Sequence, residues 1–507
     1  GIYQELNEVI TKPCNIDFFD LLDSYTNKVY VSGLIYLTIY SFKELFGEKA
    51  DIKVEHAIDK GLYIETNIEI DENSVTLLKE KMQEVINSRM DITKVTINRL
   101  DAIDYFKRMD DDAKKGIMKY NSSSNINLYR LGYLYNYFYS LMPINTECLG
   151  HFNLTYLNSN GLILTFPTKY SGGKIKKYQH HPQIFEIFRE YYTWAKIMNI
   201  ENVTQLNEIV SKGNIEDLIR IDETLQSMRL LEIARDIFSR KNKVKIILVA
   251  GPSSSGKTTT CNKLSMYLRS FGLNPVMLSM DDFFLDHKDK PRNEKGELDF
   301  ESIYALDLKL FDEQIKRLLD GEEVIAPIFN FVTGEKSFKK ALKLQENDFL
   351  IIEGIHGLNN DILNNIDQSK KYKIYISALT ELKIDKHNRI STTDNRLLRR
   401  IVRDNKTRGT SIEQTLEQWQ EVRIGEEQFV FPYQDEADAT INSALIYELG
   451  VLRTYAEPLL YSVKSDSPHY NDVVRLLKFL QLFLTIPSES IPDDSILREF
   501  IGGSCFK

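Results

Sequence analysis

The chain has 507 residues, 42% of them hydrophobic and 27% charged, with a formal net charge of -9. That length implies more than one domain, each with its own core, and the acidic balance argues against a dedicated nucleic-acid binder. Four scattered cysteines (Cys14, Cys148, Cys261, Cys505) form no C-x-x-C pair, which speaks against a disulfide framework or a zinc ribbon and fits a reducing cytoplasm. No apolar run approaches the roughly 20 residues of a membrane span. Nor does a basic segment followed by an apolar one mark a secretion signal. The chain opens at Gly1 rather than Met, which leaves room for residues upstream.

Residues 1–170 read as α+β. Val29 to Phe46 has the apolar character of a helix, and Ile52 to Ile70 is strand-like, broken by a turn at Asp59-Lys60-Gly61. From Asn73, the residues Val75, Leu78, Met82, Val85 and Ile86 recur on one helical face, with Asn73 or Ser74 as the expected cap. An alternating segment (Val95, Ile97) precedes a tyrosine-rich stretch from Tyr129 to Tyr139, read as core packing rather than a base-stacking platform. The phrase from Ser41 to Tyr63, SFKELFGEKADIKVEHAIDKGLY, and the helix after it resemble the editing-type second domain of threonyl- and alanyl-tRNA synthetases. That domain has an H-x-x-x-H pair where this chain has Ser32 and Tyr36, so the resemblance implies a structural or regulatory relic rather than an editing enzyme. Cys148 and His151, without a first half, are not expected to be ligands.

Ser171-Gly172-Gly173 and the lysines after it mark a boundary. Residues 171–243 read as a helical connector, 244–465 as an α/β domain, and 466–507 as a helical extension. In the α/β part, strands are expected at 244–250, 275–280, 348–353, 372–378 and 437–442, alternating with helices as in a parallel sheet covered on both faces.

The strand Val244 to Ala250 leads into Gly251-x-x-x-x-Gly256-Lys257-Thr258, and a helix follows to a stop at Gly272. Strand, glycine-cornered loop and helix N-terminus form the phosphate-binding loop that carries a nucleoside triphosphate. Its backbone and side chains, Gly251, Ser253, Ser254, Ser255, Gly256, Lys257, Thr258 and Thr259, are the expected ATP site, with the Thr258 hydroxyl on Mg²⁺. Ligands of such sheets bind beyond the strands' carboxyl ends. There Glu353 closes an apolar strand as a metal-assisting acid, and Asp281 stands as a second carboxylate able to take a hydroxyl proton. Arg396, Arg399, Arg400 and Arg403 repeat at helical spacing, a cationic face suited to a lid over a transferring phosphoryl group.

Together these residues resemble the uridine kinase and phosphoribulokinase family of P-loop kinases over about 244–460. The match is nearest to the bacterial class of uridine or nucleoside kinases with a synthetase-like N-terminal portion. The resemblance implies Lys257 on the phosphates, Asp281 as catalytic base and metal neighbour, and Thr258 and Glu353 as metal residues. It further implies Glu301 (with Asp299 as competitor) on the ribose hydroxyls beside Phe300, Phe329 under the base, Gln418 as a base contact, and Arg400, Arg403 and Arg408 as lid arginines. Three positions depart from the pattern: Phe284 replaces a tyrosine, Gly334 the base-reading histidine, and Thr410 a later arginine. The polar segment 387–395 is a candidate to replace the lost base contacts.

The expected function is ATP- and Mg²⁺-dependent phosphorylation of the 5′-hydroxyl of a nucleoside in salvage, foremost uridine or another pyrimidine nucleoside, in the cytoplasm. A sugar phosphate or other small hydroxyl acceptor is the second reading, and a nucleotide-gated RNA-associated protein the third. A homo-oligomer is compatible with the first; neither membrane nor nucleic acid is an expected partner.

Overall fold

The computed structural model describes residues 2–293, 296–331 and 333–506. The chain divides into two compact units, the first made of 1–215, 381–391 and 460–486, the second of 216–380, 392–459 and 487–507. The stretch 171–243, read from sequence as one connector, is thus shared between the two.

In the first unit, helix α1 (Ser24–Phe46) starts where the Asp23 carboxylate accepts the N–H groups of Tyr25 and Thr26. Around it run β1 (Ile52–Ile58), β2 (Gly61–Thr66), α2 (Glu72–Asn87), β3 (Ile92–Asn98), α3 (Arg99–Arg108), α4 (Asp112–Tyr120), β4 (Asn125–Leu131), β5 (Leu134–Asn136), β6 (Asn153–Asn158) and β7 (Gly161–Thr165). Then come α5 (Pro182–Ile197) and α6 (Val203–Ser211). The strands form two antiparallel sheets, β1-β2-β7-β6 and β3-β4-β5. The cap of α2 is Asp71, not Asn73 or Ser74: its carboxylate accepts the Ser74 N–H at 2.7 Å. Ser74 instead fills the third helical position and completes the capping box.

The tyrosine stretch is built into this core. Tyr129 is buried, and the hydroxyl of buried Tyr36 lies 2.7 and 2.6 Å from the carbonyl oxygens of Tyr129 and Leu134. Ser32 bonds to the Ser140 hydroxyl at 2.8 Å. Segment 381–391 also belongs here. His387 Nδ1 is 2.7 Å from Lys114 Nζ, its Nε2 is 3.2 Å from Asp51, and the Asn388 amide donates to the Tyr137 carbonyl at 3.0 Å. The expectation that this segment reads an acceptor's base is therefore corrected for His387 and Asn388, whose polar atoms are already used inside the first unit.

The second unit opens with α7 (Ile215–Ser239), whose first residue closes the preceding unit, then β8 (Ile246–Ala250), α8 (Lys257–Ser270), β9 (Asn274–Ser279), α9 (Leu308–Leu319), β10 (Val324–Asn330) and β11 (Glu335–Leu342). It continues with β12 (Asp348–Glu353), β13 (Lys371–Ser377), α10 (Thr392–Arg403), α11 (Ile412–Phe429), β14 (Ala439–Asn442) and α12 (Glu448–Tyr461). Helix α13 (Tyr470–Leu480) returns to the first unit, and the short α14 (Arg498–Ile501) lies in the second. Five strands make a parallel sheet in the order β14-β13-β8-β12-β9.

All of β8 is buried, and its alternate residues feed two cores. Ile246 and Leu248 join α9 residues Phe311 and Ile315 on one side; Ile247 and Val249 join Ile233 and Ile237 of α7 and Leu264 of α8 on the other. Strands sandwiched in this way must be apolar on both faces, which is why their runs were readable. The antiparallel hairpin β10–β11 was not expected from the sequence. No helix among the described residues is long and apolar enough to cross a membrane.

Candidate active site

Strand register assembles the site. Glu353, the last residue of β12, pairs with Val249 on one side and Ser279 on the other. The loop after Val249 is the phosphate loop and the turn after Ser279 carries Asp281, so one carboxylate stands between the two. The loop is tightly bent: a Cβ on Gly251 would lie 2.0 Å from the Ile376 carbonyl oxygen, and Ser254 holds φ +59. Lys257 Nζ donates to the Gly251 and Pro252 carbonyls at 3.0 and 3.2 Å. The Ser254 and Ser255 hydroxyls are buried with no partner among the described residues. A lysine folded onto its own loop beside orphaned hydroxyls fits a triphosphate site, because phosphate oxygens would satisfy these groups.

The metal residues also fit. The Thr258 hydroxyl lies 3.0 and 3.2 Å from the two Glu353 oxygens. Among the described residues no group of three or more His, Cys, Asp and Glu side chains is arranged to hold a metal. Mg²⁺ needs no such cage, since it is held by one or two carboxylates together with phosphates and water. Thr259 is engaged elsewhere: its N–H and hydroxyl go to Glu499 at 3.2 and 2.9 Å.

Burial dominates the electrostatics of the cleft. It raises Glu353 to about 7, opposed by Lys257 and helped by Asp281 and Glu499. Asp281 is solvent-exposed, yet desolvation within the cleft raises it, with Lys257 and Arg408 pulling down. Glu301 is pushed up to about 8 by burial and by Glu426, against Arg400. Oδ1 of Asp299, the competing ribose acid, accepts the N–H groups of Glu301 and Ser302, both at 3.0 Å, and so shapes the turn that presents Glu301.

The arginine face of α10 splits by role. Arg396 and Arg399 are fully buried and are not lid residues. Arg396 pairs with Glu426 of α11 (Nη2–Oε2 2.7 Å) and donates to the Ser253 carbonyl at 3.1 Å. Arg399 pairs with Glu448 of α12 (Nε–Oε2 3.0 Å) and donates to the Ser254 carbonyl at 3.3 Å. Arg400 reaches the Ser253 hydroxyl at 3.1 Å and Gln418 at 3.3 Å. Buried Asp404 gathers Arg400, Arg403 and Arg408 at 3.1, 2.8 and 3.6 Å. Gln418, expected from the resemblance to contact the base, thus touches Arg400.

Phe284, Phe300 and Phe329 lie together. Phe284 packs edge-on against the other two, each with ring centroids 5.7 Å away, and Phe331 stands 5.1 Å from Phe329. Sequence reasoning missed Glu426, Glu499, Asp404 and the pair His287 and Lys290. Only the aromatic box itself, had it been placed around the Asp281 turn, would have drawn attention to that pair.

The sequence profile described as "Phosphoribulokinase / Uridine kinase family" matches residues 246–446. A uridine kinase of Staphylococcus epidermidis is 30% identical over 201 residues, 39% of this chain and 88% of that protein. One from Staphylococcus aureus is 30% identical over 197 residues, 39% of this chain and 86% of its own length. The chain belongs to the phosphoribulokinase/uridine kinase family. A solved structure from Bacillus stearothermophilus, titled a possible uridine kinase, is 22% identical over 29% of this chain and 78% of its own, with a TM-score of 0.26. The family match lies largely in the second unit, which is a P-loop kinase domain.

Proposed function

We propose that the chain transfers the γ-phosphoryl group of ATP, with Mg²⁺, to the 5′-hydroxyl of a nucleoside, uridine or another pyrimidine nucleoside foremost. The observation that carries this reading is the meeting of Lys257, Glu353 and Asp281 at the ends of β8, β12 and β9, beside a box of phenylalanines. Asp281 takes the acceptor hydroxyl's proton, a role suited by a carboxyl raised above its ordinary value. Glu301, uncharged at neutral pH by its raised pKa, both donates to and accepts from ribose hydroxyls. Lys257 leaves its carbonyls to bind phosphate oxygens. Thr258 and Glu353 hold the metal, whose charge neutralises the phosphates. Arg400, Arg403 and Arg408, mustered by Asp404, supply the remaining cations over the transferring group. Residues 1–170 serve a structural or regulatory part on this reading.

ADP release measured over a panel of nucleosides and sugar phosphates tests it. Turnover with pyrimidine nucleosides is expected; turnover confined to sugar phosphates, or to neither class, would contradict it.

A further inference from the structure

Beside the acceptor box lies an ammonium group that feels the charge of Asp281 but has no hydrogen-bond acceptor among the described residues. Lys290 is 5% exposed, and its Nζ has no hydrogen-bond or ion-pair partner among the described residues. It sits over the ring faces of Phe300, Phe284 and Phe329, with centroids at 3.7, 4.1 and 4.6 Å. The cation–π attraction of those faces holds the amine but leaves its three donors unused.

A second unpartnered nitrogen is close by. His287 stacks its ring over Gly334, where a Cβ would fall 2.2 Å from Nδ1, so the imidazole takes the space that only a glycine at 334 leaves open. Its backbone N–H donates to the Gly334 carbonyl at 2.9 Å, and its ring lies 5.8 and 6.0 Å from Phe300 and Phe329. The buried Nε2 has no partner among the described residues. The position that lacks a base-reading histidine is therefore the seat of another histidine, supplied by the loop after Asp281.

Buried donors without partners are costly and are kept where a ligand satisfies them. The surroundings narrow the ligand. Phenyl faces are electronegative and oppose a phosphate dianion, and the box offers one cation rather than a cluster. They welcome a flat neutral ring. An ammonium donates and never accepts, so it bonds a ring carbonyl and repels a ring amine.

We propose that Lys290 is the specificity residue of the acceptor pocket, donating to the 4-oxo group of a flat pyrimidine ring held by the phenylalanines, the position at which cytosine carries an amine, with His287 as the second polar contact. The pocket then selects oxo-bearing, uracil-type rings over amino-bearing, cytosine-type rings. This inference rests on the nucleoside reading above.

The test is kcat/KM for uridine and for cytidine, with saturating ATP and Mg²⁺, in the full chain and in Lys290→Met and Lys290→Gln. The unaltered protein should favour uridine by about 10- to 100-fold, the range one hydrogen bond to a charged group supplies. Lys290→Met should bring the ratio near one, through KM for uridine, with ATP affinity retained as evidence of an intact fold. Lys290→Gln, whose amide also accepts, should move the ratio toward cytidine. Equal use of the two nucleosides by the unaltered protein overturns the inference and leaves the nucleoside reading standing. So does an undiminished uridine preference in whichever of the two variants folds. Turnover of neither nucleoside overturns both.

Discussion

Two buried lysines set the two units apart. In the first unit, Lys114 is 1% exposed and meets Asp111 at 3.0 Å, Asp385 at 3.4 Å and His387 Nδ1 at 2.7 Å. Around it Lys386 pairs with Asp51 and Asp111, and Lys383 with Glu55. In the kinase unit, Lys290 is almost as buried and has no such partner among the described residues, while Glu353, Glu301 and Asp281 crowd together with raised pKa values. Removing one member of a matched buried pair strands the other as an uncompensated charge. Unmatched buried charge stores a demand that a ligand meets, which is why perturbed groups gather at functional sites. The contrast recurs on α10 alone, where Arg396 and Arg399 have buried glutamates while Arg400 reaches only hydroxyl and amide groups and the carboxylate it shares with its neighbours.

The comparison breaks most sharply at the extremes. Lys257→Ala, on the unmatched side, should lower kcat by about 10²–10³, as for removal of one transition-state donor, with an unchanged melting temperature. Comparable turnover, or an unfolded variant, would move Lys257 to the structural side. Glu426→Ala, on the matched side, strands Arg396 and should cost about 3–5 kcal/mol in urea denaturation; a loss below about 1 kcal/mol would mean the pair is not holding α10 to α11.

Asp51→Asn should lower stability near neutral pH by about 1–3 kcal/mol, the range for charge-assisted hydrogen bonds, without changing kcat. Burial alone would raise the Asp51 carboxyl, but His387, Lys386 and Lys43 together hold it below the ordinary range. Its contribution is therefore full above its unfolded pKa and is lost as pH falls through the lower folded one. Equal loss at low and neutral pH would contradict that. Glu353→Gln reverses the sign. With a folded pKa of about 7, the ionised carboxylate is penalised above that pH and not below its unfolded value. The variant should melt higher than the parent at pH 8, lose that advantage at pH 4.5, and bind Mg·ATP more weakly.

The parts of the kinase unit that were legible obey local rules. Strand 246–250 and residues 349–352 are apolar on both faces, 371–377 is apolar on the face of Tyr372, Ile374 and Ile376, and the loop from Gly251 to Thr258 is a contiguous pattern. The hairpin β10–β11 escaped because Pro327 and its lysines break the alternation that marks a strand, and a register shift at Ala326/Pro327 accommodates them. Arg396 and Arg399 read as lid cations because their glutamates lie 30 and 49 residues further on, beyond any helical spacing. Asp286-His287-Lys288-Asp289-Lys290 is a charged run with no periodicity to mark it, and only the fold turns Lys290 inward onto three rings. Conversely, 387–395 looked like a binding loop because it is polar, yet His387 and Asn388 spend that polarity on Lys114, Asp51 and Tyr137.

The central claim is that the strand ends place a proton-accepting carboxylate at the phosphoryl acceptor, and uridine-dependent ADP release by Asp281→Asn measures it most directly. A fall of about 10²–10⁴ in kcat, the range for loss of a general base, with ATP affinity retained, is the expected result. Turnover near that of the unaltered protein would contradict it.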